Sequence, residues 1–565
     1  MAEYKTIRDM LTHVAEKHGD EPAFLQKRVK GGSYEIITYS RFIADMNALG
    51  AKLNDLGLYG DKIAVIGENC YQWTVTYQAV VNGVGVIVPI DKLLTPAEIF
   101  NLIERAGCSA VFYTESFETI FEDYPIRFKF RMNQYTDSSK LPISETWAEL
   151  VDAGHKLSLD SIIKYVNTEI DPEAPTVLMF TSGTTSIPKG VSLCHRNLTT
   201  NVRDIDGVMH LSSNDRNLSI LPNHHCFESV LGTMYMLSKG ASIAYGEGLK
   251  YILKNLAESE STTLLAVPLL VESILRRLWK NIEKSGKVNM LQRRLKLNKF
   301  LRSIGFDFSR PLFRFARKEL GDKLRMIFTG AAPIDPKICS DLEKLGVRVL
   351  QGYGLTEATA LISGTPIKSY STPGSVGIPI GKTLVKIDNP DDRGVGEILF
   401  KGANIMMGYY NMPGETAEII KGGWLHTGDL GHLDHNACLH ITGRKKNVIV
   451  AKSGKNIYPE ELEIFFSRNK YIHEIMVYGS ESGDKFYSGA VVCAQIRPDY
   501  DAIQADYGEL SEDGMLKLIQ ENVDAMNQRL QNYKHVRSVI IRKDEFVKTT
   551  TTKLKRAENT RPPAP

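Results

Sequence analysis

The chain has 565 residues, 43% hydrophobic and 24% charged, with a net charge of +3. This is ordinary globular composition, which excludes a fibrous, low-complexity or disordered protein, and its length predicts a large domain with at least one smaller one. The cysteines (Cys70, Cys108, Cys194, Cys226, Cys339, Cys438 and Cys493) are scattered with no C-x-x-C pair, which argues against a disulfide framework or a zinc ribbon and fits a reducing cytoplasm.

The N-terminal segment carries charges throughout, with Ile7, Met10, Leu11 and Val14 at helical spacing; this predicts a packed helix rather than a signal peptide. Strands at 62–66, 84–90 and 110–113 alternate with helices at 72–81 and 96–106, the punctuation of α/β layers. The apolar stretch 79–90 is broken by Asn82, Gly83 and Gly85, so nothing reaches the roughly 18 apolar residues of a membrane span. Strands resume at 217–221, 241–245, 263–267, 324–329 and 348–351. After the strand at 263–267, residues 276–325 hold sixteen Lys/Arg against four acids, in a chain that is otherwise acidic. Apolar residues interleave this segment (Leu291 and Leu295, then Phe308, Leu312 and Phe315), which suits a helix lying on an anionic membrane or a solvated basic insertion packed by one face. Nucleic acid fits less well, because the charge is confined to one insertion. From about 374, shorter strands at 385–388 and 396–400 among Gly/Pro turns predict a β-rich subdomain. A polar run at 443–446 marks the boundary between domains 1–445 and 446–565, the latter smaller and of mixed α/β character. The final eight residues are expected to be disordered.

The stretch 177–191 ends an apolar run in Thr181-Ser-Gly-Thr-Thr-Ser-Ile-Pro-Lys189. A buried strand emptying into small residues offers backbone N–H groups, the hydroxyls of Thr181, Ser182, Thr184 and Thr185, the open backbone of Gly183 and the cation of Lys189 to phosphate oxygens. It is not a Walker A loop, since Pro188 stands where the second Gly belongs and Gly190 follows the lysine.

Four further segments follow: Gln351-Gly-Tyr-Gly-Leu-Thr-Glu357, Gly423-Trp-Leu-His-Thr-Gly-Asp429, Thr442-Gly-Arg-Lys-Lys446 and Lys548-Thr-Thr-Thr-Thr-Lys-Leu-Lys-Arg556. With the first loop they resemble the adenylate-forming superfamily, and within it the long-chain fatty acyl-CoA synthetases, over nearly the whole chain. The resemblance implies an α/β fold: a large N-terminal domain of layered α/β subdomains plus a β-rich subdomain, and a small mobile α+β C-terminal domain hinged at Lys446. It also implies a fatty acid–CoA ligase using ATP, CoA and Mg2+, with long or medium chains favoured.

The chemistry asks for the same residues. When an acid oxygen attacks the α-phosphate and pyrophosphate departs, charge gathers on several oxygens, so cations and dipoles must already be aimed there. By the resemblance, the 181–189 loop holds the β- and γ-phosphates, Ser186 standing where the family usually has Gly. Glu357, with Thr184, matches the magnesium ligands; a hard cation wants oxygen donors and few carboxylates. Tyr353 has a flat face for adenine, with Gly352 and Gly354 allowing close approach, and Gln351 and Thr356 complete that motif. Asp429 can accept from ribose hydroxyls, and Arg444 adds a ribose or phosphate contact. Lys553 matches the lysine that bridges substrate carboxylate and α-phosphate, with Thr552 in place of the usual Gly and Lys548, Lys555 and Arg556 close by.

Leu221-Pro-Asn-His-His-Cys-Phe-Glu228 resembles the acyl-site motif, with His225 at the carboxylate end, His224 turned elsewhere, and the two adjacent histidines not expected to face one ion. Gly330 flanks adenine and the acyl tunnel, and Gly454 passes beside pantetheine. The scattered His426, His432, Asp434, His435 and His440 read as solvated turn residues rather than a metal cluster. The expected location is cytoplasmic, peripheral at the inner membrane face. Open alternatives are a ligase that passes acyl-AMP to a carrier protein, and a non-catalytic sensor of acyl-adenylate or lipid.

Overall fold

The computed structural model of the chain describes residues 3–135, 145–181, 188–304, 306, 308–367, 373–451, 455–481, 490–549 and 554–560. Alternation along the strands sets the layers. In Lys62–Ile66, Ile63 and Val65 enter one core while Ala64 and Ile66 enter another, as a sheet covered on both faces requires. This strand lies in an eight-stranded sheet, next to Val86–Ile90 on one side and Cys108–Thr114 on the other, all parallel. A second, nine-stranded sheet has at its centre the parallel strands Ser242–Tyr245, Arg216–Ser219, Thr263–Ala266, Met326–Thr329 and Arg348–Tyr353.

One large core joins the inner faces of both sheets to helices Ile7–His18, Tyr39–Asp55, Tyr71–Val81 and His195–Met209, while separate clusters cover the outer faces. The N-terminal part is thus layered α/β, as expected. The β-rich subdomain is also present: Leu384–Asp388, Gly396–Lys401, Trp424–Leu433 and Leu439–Arg444 pair antiparallel. The C-terminal residues have a core of their own around the three-stranded sheet Ile472–Glu481, Ala490–Pro498 and Ser538–Ile541.

Helix boundaries follow local chemistry. Pro96–Ala106 starts at a Thr95/Glu98 capping box with Pro96 in the first turn and stops at Gly107, whose φ is +69°. Phe227–Tyr235 instead forms a π-helix buried along nearly its whole length; π geometry is rare and clusters at functional sites.

The basic insertion forms helices Pro268–Lys284 and Val288–Ser303. Its apolar residues divide differently from the sequence reading. Leu291 is fully buried, and Leu295, Leu312 and Phe315 pack on the core of the second sheet. The residues left outward are Leu297, Phe300, Ile304, Phe306 and Phe308. Among the described residues no helix is long and apolar enough to cross a membrane.

Candidate active site

Both sheets send the carboxyl ends of parallel strands toward the candidate residues, the side of an open α/β sheet where ligands bind. Gly330 directly follows Met326–Thr329, and Tyr353 ends Arg348–Tyr353. The expected freedom of Gly352 and Gly354 is used by the protein itself. A Cβ on Gly354 would meet the Ala360 carbonyl oxygen at 1.5 Å, and one on Gly352 would press Phe328 at 2.5 Å.

A polar cluster among the candidate residues joins the second sheet to the β-rich subdomain. Tyr353 donates its hydroxyl to Oδ2 of Asp429 at 2.7 Å, and Nε of Arg444 lies 2.6 Å from Oδ1. Asp429 and Arg444 are cross-strand partners in the Trp424–Leu433/Leu439–Arg444 hairpin, so register alone brings them together. Burial, then Asp429, pushes the Tyr353 phenol well up and keeps it protonated as a donor. Burial works against the Arg444 cation, but Asp429 and Tyr353 outweigh it and raise its pKa. Lys446, two residues on, is lowered by burial and by Arg444.

A second cluster sits at Lys189, near where the described chain resumes after the 182–187 segment. The flanks of that segment, Pro175–Thr181 and Lys189–Cys194, are antiparallel with Thr181 opposite Lys189, so it joins two strands of a hairpin. The Lys189 ammonium lies 5.0 Å above the Tyr409 ring, and Tyr409 donates its hydroxyl to Oε1 of Glu357 at 2.9 Å. Tyr409 escaped the sequence reading, because its strand Gly408–Tyr409 is two residues long and carries no periodicity.

The acyl motif meets the nucleotide motif where Cys226 approaches Oγ1 of Thr356 at 3.8 Å. Gln351 is not gathered in; its amide turns to Cys339 at 3.8 Å. His224 does not turn away as expected. The His224 and His225 rings are 4.2 Å apart, and one ligand atom from each, with one from Asp91, lie within 4.8 Å of one another. Asp91, also unforeseen, follows strand Val86–Ile90. Ser182, Gly183, Thr184, Thr185, Gly454 and Lys553 lie outside the described residues. Of the scattered histidines, His432 and His440 stack across the hairpin at 4.9 Å, and His440 pairs with Asp434 at 3.1 Å.

Carboxyl ends of parallel strands, the Pro175–Thr181/Lys189–Cys194 hairpin and an acid–tyrosine–arginine cluster carry the candidate residues. The AMP-binding enzyme family matches residues 11–410, and the chain belongs to that family. Similar curated proteins include a "Long-chain-fatty-acid--CoA ligase" of Salmonella typhi, 26% identical over 85% of this chain and 84% of its own. A "Long-chain-fatty-acid--CoA ligase 1" of Cavia porcellus is 26% identical over 98% of this chain and 85% of its own. Among solved structures, the anthranilate CoA ligase AuaEII in complex with anthranoyl-AMP superposes with a TM-score of 0.77 at 18% identity, covering 99% of this chain and 97% of that one. ATP-bound MatB from Rhodopseudomonas palustris gives 0.74 at 22%, covering 98% of each chain. These structures share the fold of this chain.

Proposed function

We propose that the chain is an ATP-dependent fatty acid–CoA ligase that makes acyl-AMP and pyrophosphate, then exchanges AMP for CoA, with long or medium chains favoured. The observation that carries this reading is the junction at Thr356. The acyl motif reaches it through Cys226, and the next residue, Glu357, leads to Tyr409 and Lys189. An acid and a polyphosphate would meet there. The similarity to long-chain ligases over most of the chain supports the substrate class.

In this reading Asp429 and Arg444 hold ribose, Tyr353 offers the face of its partly buried ring to adenine, and Thr181 to Lys189 hold the β- and γ-phosphates. Mg2+ fits the chemistry here, since Glu357 offers a carboxylate that meets Tyr409, the tyrosine under the Lys189 ammonium, and Thr184 is the second residue assigned to it; the ion would neutralise phosphate charge. Lys553 would bridge carboxylate and α-phosphate. Its cationic neighbours have other duties: Lys548 pairs with Glu474, Lys555 with Glu558 at 3.1 Å and Arg556 with Glu463 at 2.7 Å. The separate C-terminal core supports a domain that turns at Lys446 and brings Gly454 to pantetheine for the thiol step.

The test is to incubate pure protein with Mg-ATP and fatty acids from acetate to palmitate, with and without CoA, and identify products by mass spectrometry. Acyl-CoA plus AMP is expected. Acyl-AMP that persists with CoA present would point to a carrier-dependent ligase, and no turnover of any acid would sink the reading.

An anionic membrane is the second proposed partner, and the outward apolar stripe favours it. Leu297, Phe300, Ile304, Phe306 and Phe308 are 46–61% exposed beside exposed Arg293 and Lys296, a pairing of apolar and basic groups suited to a lipid interface. Co-sedimentation with phosphatidylglycerol vesicles is expected at low salt and should weaken at high salt. No binding at low salt would overturn it.

A further inference from the structure

We propose that Asp91, His224 and His225 form a three-ligand site for a zinc-class transition-metal ion, and that metal bound there blocks adenylation. The block rests on the proposed role of His225 at the acid carboxylate; the binding does not.

The site is built by three local features. Asp91 stands at the end of strand Val86–Ile90, and its Oδ1 accepts from the Leu93 N–H at 2.9 Å. That bond fixes the carboxylate and leaves Oδ2 facing Nε2 of His224 at 3.5 Å. The His224 side chain is only 9% exposed, and its Nε2 has no hydrogen-bond partner. The 3.5 Å separation is an ion-pair distance without hydrogen-bond alignment. A buried ring nitrogen left this way is costly unless something ligates it.

Adjacent side chains on a strand diverge, which is why sequence argues against a shared ion. Here the chain bends instead: the His225 N–H donates to the Pro222 carbonyl at 3.1 Å, and the His225 carbonyl accepts from the N–H groups of Glu228 and Ser229 at the start of the π-helix. The two rings are tilted by 41° at 4.2 Å rather than stacked flat, so one nitrogen from each can converge with Asp91.

Distances and donor types name the metal. Ligands 2.0–2.2 Å from a tetrahedral zinc stand roughly 3.3–3.6 Å from one another. The Asp91–His224 pair already meets this at 3.5 Å, and side-chain adjustment closes the remaining gaps, which are at most 4.8 Å. Two imidazoles and one carboxylate suit Zn2+ or Co2+ and not Mg2+, whose oxygen preference keeps it at Glu357. Three protein ligands leave the fourth position open. Bound metal would occupy a nitrogen of His225, the residue the proposed function assigns to the acid carboxylate.

The full chain, freed of adventitious metal, is titrated with Zn2+ by calorimetry and with Co2+ by visible absorption. Wild type is compared with His224→Phe and Asp91→Asn. One Zn2+ per chain is expected, with the intense visible bands of four-coordinate cobalt; both variants should bind at least 10-fold more weakly and lose the bands. In a Mg-ATP assay, micromolar Zn2+ should inhibit wild type in competition with fatty acid, while His224→Phe turns over and resists it. Absence of stoichiometric binding, or binding and spectrum unchanged in both folded variants, would overturn the site. Binding without inhibition would overturn the block alone. Because both binding readouts need no turnover, a chain that binds zinc but ligates no fatty acid leaves the metal site standing and removes only the proposed function.

Discussion

At the scale of single residues, Asp429 shows how a motif becomes a polar cluster. It is 4% exposed, with one oxygen committed to Tyr353 and the other to Arg444. A carboxylate has about four lone-pair directions, so acceptor capacity remains for ribose hydroxyls after both bonds are made. Asp429→Asn keeps the shape and removes the charge that holds Arg444. A hydrogen bond to a charged group is worth about 1.5–3 kcal/mol, so KM for ATP should rise roughly tenfold or more with circular dichroism unchanged. An unaltered KM for ATP would remove Asp429 from nucleotide binding. The Thr-Gly-Asp motif made Asp429 legible in the sequence. Its tie to Tyr353 was not, because a contact between residues 76 apart depends on how two sheets meet.

At the scale of elements, legibility follows periodicity and caps. Pro96–Ala106 matches its sequence reading at both ends because Thr95, Glu98 and Gly107 write the boundaries locally. The π-helix Phe227–Tyr235 was unreadable, since a segment buried all round has no amphipathic period to detect. The hairpin of Pro22–Lys27 with Tyr34–Thr38 also went unseen; it closes the edge of the second sheet by pairing with Ser242–Tyr245, more than 200 residues away.

Such distant elements are joined at His195. Its Nδ1 accepts from the Ile7 N–H at 3.1 Å and its Nε2 donates to the Val81 carbonyl at 3.0 Å, tying together helices Ile7–His18, Tyr71–Val81 and His195–Met209. Burial lowers its pKa to about 4. A base depressed from about 6.5 contributes stability that is complete above pH ~6.5 and lost as pH falls through ~4, about 3 kcal/mol in all. The thermal midpoint of the N-terminal transition should therefore fall more steeply from pH 6.5 to 4 in wild type than in His195→Gln. Parallel slopes would assign the acid sensitivity to other groups.

At the scale of the whole molecule, the two half-reactions make incompatible demands on one site. Adenylation needs a cation between carboxylate and α-phosphate; thioester formation needs that cation gone and a path for a thiol. The C-terminal segment carries candidates for both tasks, Lys553 and Gly454, and has a hydrophobic core independent of the large sheets. An independent core lets the segment reorient as a body without breaking its own packing. Lys548 and Leu554 form an isolated antiparallel bridge, and Lys548 is tied to the C-terminal sheet by Glu474.

It follows that the two positions should fail in opposite halves. Lys553→Ala should lose about 10²-fold or more in adenylation, the scale of one preorganised transition-state donor, yet still convert supplied acyl-AMP to acyl-CoA. Gly454→Leu should adenylate normally and lose the thiol step, because its side chain would occupy the pantetheine path. Single-turnover assays of each half separate these outcomes. Equal loss in both halves for either variant would mean that the C-terminal segment acts in one fixed pose, and alternation would have to be abandoned.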